Sequence, residues 1–246
     1  MSYNNFYFLN VSENGGSLFK DYMSKQVFTE FDSRDINYSY EDNQGWTPVN
    51  DDTFVVTSLQ DPTRRSVGHF AHIMSNLIEN GFPENHEEIP HPLLMDIVDF
   101  NSPNKSEFFT WFENCKNSIG DFQSKSLFQK TECHSLPIWQ NEILGIVNEQ
   151  SKSKVDTLGQ LAKINIVLKQ ENITPQNIQS ISQEIFNNFA ISTEISEVTQ
   201  INKSSANYDR IFSSIYYSLS QNELRLIYEM NPIDTEIYNT DSIFWQ

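Results

Sequence analysis

Phe6-Tyr7-Phe8-Leu9-Asn10-Val11-Ser12-Glu13-Asn14-Gly15-Gly16-Ser17-Leu18-Phe19 opens with an apolar run, breaks into a polar loop with paired glycines, and resumes at helical spacing. Residues 6–11 predict a short buried strand. Leu18, Phe19, Tyr22 and Met23 give the apolar face of a following helix. Paired glycines let a backbone approach an anion, and the first amides of the next helix point at it. The alternative is a tight strand-to-helix turn with an ordinary cap. The loop lacks the Gly-Lys-Ser/Thr ending of the nucleotide P-loop.

A second segment has the same grammar. Thr53-Phe54-Val55-Val56-Thr57-Ser58-Leu59 predicts another buried strand. Gln60-Asp61-Pro62-Thr63-Arg64-Arg65-Ser66-Val67-Gly68-His69-Phe70 then turns into a helix. Pro62 suits its first turn, and Val67, Phe70, Ala71, Met74, Leu77 and Ile78 line one side. Gly81 and Pro83 stop it.

Together the two segments resemble the sulfotransferase superfamily, in particular its glycan-sulfating branch. There the first loop reads roughly Pro-Lys-Thr-Gly-Gly-Thr and binds the 5′-phosphosulfate of PAPS (3′-phosphoadenosine 5′-phosphosulfate). The second reads roughly Leu-Arg-Asp-Pro-x-x-Arg-x-x-Ser-His-Tyr and binds the 3′-phosphate. Leu59, Asp61, Pro62, Arg65, His69 and Phe70 match in place. Later pieces follow in family order. His134-Ser135-Leu136-Pro137 is similar to a His-x-x-Pro-Gln element. Val155-Asp156-Thr157-Leu158-Gly159-Gln160 is similar to a Val-Asp-x-x-Gly-Arg strand and turn. Ile201-Asn202-Lys203-Ser204 and the Tyr-rich stretch to Tyr238 are similar to an Asn-Lys-Ser segment and closing helix.

The resemblance implies a three-layer, P-loop-like α/β fold, with a central parallel sheet flanked by helices, and transfer of a sulfuryl group from PAPS to a hydroxyl acceptor. It implies donor-binding positions at Asn14, Gly15, Gly16, Ser17, Lys20, Gln60, Arg65 and Gly68. It places catalytic positions at Glu13, His69 and His134. Lys20, one helical turn past Ser17, either reaches back to the loop or is a solvated surface lysine. Several family charges are missing. Glu13 stands where the family has its catalytic lysine, Gln60 where it has the 3′-phosphate arginine, Gly68 where it has a serine. Ile138 replaces the family glutamine and Gln160 the family arginine. About three charge-assisted contacts are lost, each worth roughly 1.5–3 kcal/mol. A second function class therefore stands beside the first: a non-catalytic binding or scaffolding protein that keeps the fold. A third is an enzyme using a less anionic donor in the same cleft.

Charge and composition narrow the partners. The chain has 246 residues, 33 acidic against 16 basic, for a net charge of −17. That disfavours nucleic acid and anionic membrane surfaces, both of which need a basic face. A hydrophobic fraction of 38% with 18 Phe and 10 Tyr is enough for a buried core rather than a disordered chain. Cys115 and Cys133 make no zinc or CxxC spacing, and no metal is expected. His69 and His72, three apart, read better as helix-surface histidines than as a metal pair. Arg65 has a surface salt bridge as its competing explanation. No run approaches the roughly 20 apolar residues of a membrane span, and the N-terminus has no basic leader, so a cytoplasmic location is expected.

The reading is of one domain over 1–246, with loop-rich insertions near 32–52 and 83–104. Phe108, Phe109, Trp111 and Phe112 predict a short aromatic helix ending near Cys115. Val155–Leu158 is expected as a third parallel strand. Thr174-Pro175 marks a strong helix start, and Ser220-Gln221-Asn222-Glu223 a capping box.

Overall fold

The computed structural model describes residues 3–11, 23, 27–42, 52–80, 103–128, 132–135, 142–146, 151–193 and 205–245. In chain order its elements are β1 (Asn5–Asn10), α1 (helical at Met23 and over 27–32), β2 (Asn37–Asp42), β3 (Thr53–Leu59) and α2 (Pro62–Asn80). There follow α3 (Lys105–Ile119), α4 (Phe122–Ser126), β4 (Glu132–Ser135), β5 (Glu142–Ile146), α5 (Lys154–Leu161) and β6 (Ile166–Lys169). The chain closes with α6 (Pro175–Asn188), α7 (Ala206–Tyr216), α8 (Gln221–Met230) and α9 (Pro232–Tyr238).

The sheet is all parallel and runs β2-β1-β3-β6. Phe6 lies opposite Tyr38 on one side and Phe54 on the other, and Val56 lies opposite Ile166. Side chains alternate between the two faces, as a pleated strand requires. Phe6, Phe8, Phe54, Val56, Ile166 and Leu168 pack against Phe28 and Phe31 of α1 and Ile181 and Ile185 of α6. Tyr7, Leu9, Val55, Leu59 and Val167 pack against Phe122, Leu161 and Ile237 of α4, α5 and α9. Both faces are therefore covered, which is why these strands read as continuous apolar runs. This is the three-layer α/β arrangement expected.

A second apolar core forms away from the sheet. Phe70, Met74 and Leu77 of α2 meet Phe108, Trp111 and Phe112 of α3, with Ile211 and Ile215 of α7 and Ile227 of α8. Helix α2 is thus enclosed on most sides. β4 and β5 form a separate antiparallel pair.

Several expectations hold. The strand at 6–11, the strand and helix on either side of Gln60, and the helix starting at Pro175 are all present. Thr174 Oγ1 accepts the Asn177 N–H, and Ser220 with Glu223 forms a reciprocal capping box. Three expectations are corrected. Val155–Leu158 is helix, not strand. Ser153 caps α5 by accepting the Asp156 N–H, and Val155 is 77% exposed, which no central strand would allow. The third parallel partner is β6, a few residues on. The 32–52 stretch holds β2, an outer strand whose Asn-Tyr-Ser-Tyr-Glu-Asp sequence lacks an apolar run. Helix α3 runs past Cys115 to Ile119, started by an Asn104–Glu107 capping box.

Candidate functional site

The chain leaves β1, visits β2 on one side, then returns to β3 on the other. The order reverses between β1 and β3. In open parallel sheets the crevice at such a switch point, beyond the carboxyl ends of the strands, is where ligands bind. The segments leaving β1 and β3 therefore start side by side at one edge. Glu13, Asn14, Gly15, Gly16, Ser17 and Lys20 belong to the first segment and lie outside the described residues. His134 lies in β4, its backbone opposite Leu144, away from this sheet in the pairing.

The β3 exit is held by carboxylates and tyrosines. Asp61 caps α2, its Oδ1 accepting the Arg64 N–H at 3.0 Å. Its own N–H donates to Glu171 Oε1 at 2.9 Å. The Tyr228 hydroxyl donates to Asp61 Oδ2 at 3.3 Å, and the Tyr238 hydroxyl to Glu171 Oε2 at 2.8 Å. Burial pushes both phenols up, with Asp61 and Glu171 adding to the shift, so both stay protonated donors. Lys169, at the end of β6, pairs with Asp241 at 2.8 Å and lies over the Tyr238 and Phe244 rings.

Arg65 and His69 point into the protein. Arg65 donates to the Ile119 carbonyl at 3.0 Å and to His69 Nδ1 at 2.9 Å, and its guanidinium lies 3.9 Å from the Phe122 ring centroid. Arginine has no acceptor, so His69 Nδ1 must accept and the ring proton of the neutral imidazole sits on Nε2. The His69 ring stands edge-on to Trp111 and Phe122. Both residues are fully buried, which corrects the expected surface histidine and surface salt bridge. The reason is the enclosure of α2 by α3, α4, α7 and α8. His72 is only half-buried and bonds Asn76. Among the described residues no group of three or more His, Cys, Asp and Glu side chains is placed to hold a metal.

Gln60 is gripped by Gln123. Its N–H donates to Gln123 Oε1, and its carbonyl accepts from Gln123 Nε2, both at 2.8 Å. The amide of Gln123 thus holds the backbone just past the end of β3 as a neighbouring strand would. Gly68 faces α7, where an added Cβ would meet the Tyr208 hydroxyl at 3.0 Å.

Sequence reasoning missed the ionic cluster behind this edge. Asp121 precedes α4 with φ 50, and its Oδ1 accepts the N–H groups of Ile233 and Asp234 at 2.8 and 3.1 Å. Asp234 in turn accepts the N–H groups of Gln123 and Ser124 at 3.0 and 2.8 Å. Asn231 Oδ1 accepts the Asp121 N–H. Lys125 donates to the Asn117 carbonyl at 2.9 Å, and burial pushes its ammonium down. Nothing in a single sequence joins Asn231 and Asp234 to Asp121, more than a hundred positions earlier. Beside Asp234, Ser124, Tyr238 and Leu59 is a cavity of about 10 Å³, the size of one water.

No protein-family model, curated protein or solved structure matches the chain. The class rests on the fold itself: an α/β protein with a four-stranded parallel sheet and a switch point between β1 and β3. No helix among the described residues is long and apolar enough to cross a membrane.

Proposed function

We propose that this chain is a sulfotransferase-like protein that takes PAPS at the β1/β3 switch point and transfers its sulfuryl group to a hydroxyl of a glycan or small metabolite. The observation that carries the reading is the switch point itself. The glycine-paired segment after β1 and the Asp61-Pro62 start of α2 after β3 leave adjacent strand ends at one edge. Backbone amides of residues 14–17 would hold the phosphosulfate. Of the positions the resemblance assigns to catalysis, Glu13 lies in the segment after β1, outside the described residues, whereas His69 is buried against Arg65 and His134 belongs to the separate β4–β5 pair. The buried Arg65–His69 pair acts on the site by holding α2 in place.

A specific observation favours the second reading, a non-catalytic binding or scaffolding protein. Among the described residues, Arg65, a cation expected to meet the donor, is bonded inside, Lys169 near the same edge is paired with Asp241, and the β3 exit carries Asp61 and Glu171. Titration calorimetry with 3′-phosphoadenosine 5′-phosphate separates the two. Saturable binding that weakens with salt supports the donor site. Absence of heat at concentrations of about 1 mM, an affinity of roughly −4 kcal/mol or weaker, overturns it in favour of the scaffold.

A further inference from the structure

Lys169 ends β6 in register with Leu59, the last residue of β3. It therefore stands at the carboxyl edge of the sheet, on the strand next to the switch point. Residues two apart share a face of a strand, and Lys169 follows Val167 on the face covered by α9. Its side chain is only 20% exposed. The Tyr238 and Phe244 rings meet the ammonium, with centroids at 4.8 and 4.7 Å. Two ring faces fix a four-carbon stem that would otherwise sample many rotamers. The other carboxylates of this edge are turned to other donors. Glu171 accepts from the Asp61 N–H and the Tyr238 hydroxyl, and Asp61 accepts from the Arg64 N–H and the Tyr228 hydroxyl. Among the described residues, Asp241 is the carboxylate that meets Lys169.

Asp241 holds that cation weakly. Its side chain is 82% exposed, and an ion pair with one hydrated partner contributes little to stability. Nor does its carboxylate fasten the segment it belongs to. The Ile243 and Phe244 N–H groups donate to the Thr240 and Asp241 carbonyls, and the Trp245 N–H donates to the Val167 carbonyl at 2.9 Å. Phe244 is itself buried beside Tyr238. The segment after α9 is thus tied along β6 by its backbone and by Phe244, so the Asp241 carboxylate can leave Lys169 without releasing it. We propose that Lys169 is the cation that meets a phosphate group of the nucleotide donor, and that Asp241 occupies the phosphate's place in the unliganded protein. This inference rests on the donor-site reading and supplies a cation where the family charges are missing. A phosphate monoester brings more charge and more acceptor oxygens than a carboxylate, so the exchange favours the ligand.

The test is calorimetric titration of 3′-phosphoadenosine 5′-phosphate into the wild type, Lys169→Met and Asp241→Asn. Lys169→Met is expected to weaken binding by about tenfold, the scale of one charge-assisted contact. Asp241→Asn is expected to tighten binding by about threefold, the scale of an exposed ion pair that no longer competes. The opposite signs carry the test, because a purely structural ion pair would make the two variants act alike. Binding that Lys169→Met leaves unchanged, or that Asp241→Asn fails to tighten, overturns the inference while the donor-site reading stands. Absence of binding by the wild type and Asp241→Asn alike removes the donor-site reading, and the inference falls with it. Asp241 is at the surface, so Asp241→Asn decides on its own should Lys169→Met fail to fold.

Discussion

Arg65 and His69 sit one helical turn apart on α2 and bond to each other at 2.9 Å with neither side chain open to solvent. The guanidinium also holds the last carbonyl of α3, at Ile119, and covers the Phe122 ring. The pair therefore joins α2 to α3 and α4 through one buried polar contact set. A charge placed in this way fixes geometry while contributing little net stability, yet losing either partner is costly.

Arg65→Ala is expected to destabilise the fold by about 3 kcal/mol or more, through a cavity and an unsatisfied Ile119 carbonyl. Urea unfolding midpoints measure it. A variant as stable as the wild type that loses only nucleotide affinity would instead make Arg65 a ligand.

Gly120 has no room for a methyl. A Cβ there would lie 2.5 Å from the Lys116 carbonyl oxygen and 2.7 Å from that of Met230, both backbone atoms. Gly120→Ala should cost about 1–3 kcal/mol by overpacking. Thermal denaturation checks this, and an unchanged midpoint would show that α3 and α8 separate more easily than their contact suggests.

Ser220→Ala removes one half of the α8 capping box and should cost about 1 kcal/mol. Glu223 is held down to about 2, first by the Ser220 hydroxyl and backbone N–H and then by Lys105. A depressed carboxyl stabilises above its ordinary range and loses that contribution as pH falls towards 2. The gap between wild type and Ser220→Ala should therefore narrow as acid is added. A gap independent of pH would mean that the hydroxyl, not the carboxylate, supplies the whole effect.

Glu13→Lys restores the cation that the resemblance places against the phosphosulfate. Under the donor-site reading it should raise affinity for the adenosine bisphosphate about tenfold, or ~1.4 kcal/mol, with the gain shrinking in salt. The companion change Gln60→Arg is less suited to this chain, because Gln60 is buried and its backbone is clasped by Gln123. A folded Glu13→Lys protein with no gain in affinity would favour the scaffold reading.

Much of the sheet could be read from the chain because both faces are buried. Phe6–Leu9 and Phe54–Val56 are apolar without interruption, and only a strand covered on two sides asks for that. β2 was illegible for the opposite reason: as an outer strand it carries Asn, Ser, Glu and Asp. Val155–Leu158 misled because the strand was carried over from the resemblance to a Val-Asp-x-x-Gly-Arg strand and turn, whereas locally Ser153 caps a helix. His69 misled because a single helix does not reveal how many neighbours surround it. The candidate edge was half legible. Asp61 and Arg65 belong to a local motif, whereas Asp121, Gln123, Glu171 and Tyr238 come from distant segments that only the fold brings together.

The crossed capping of α4 and α9 bears on how the chain reaches its native state. Its hydrogen bonds join residues 110 to 113 positions apart, and the sheet is wholly parallel, pairing residues as distant as Val56 and Ile166. Contacts of such sequence separation close slowly, in the millisecond-to-second range for small domains of this kind. During synthesis, α4 waits with its first amides unmet until the segment bearing Asp234 has emerged. A helix near the end of the chain thus completes a structure begun near its middle.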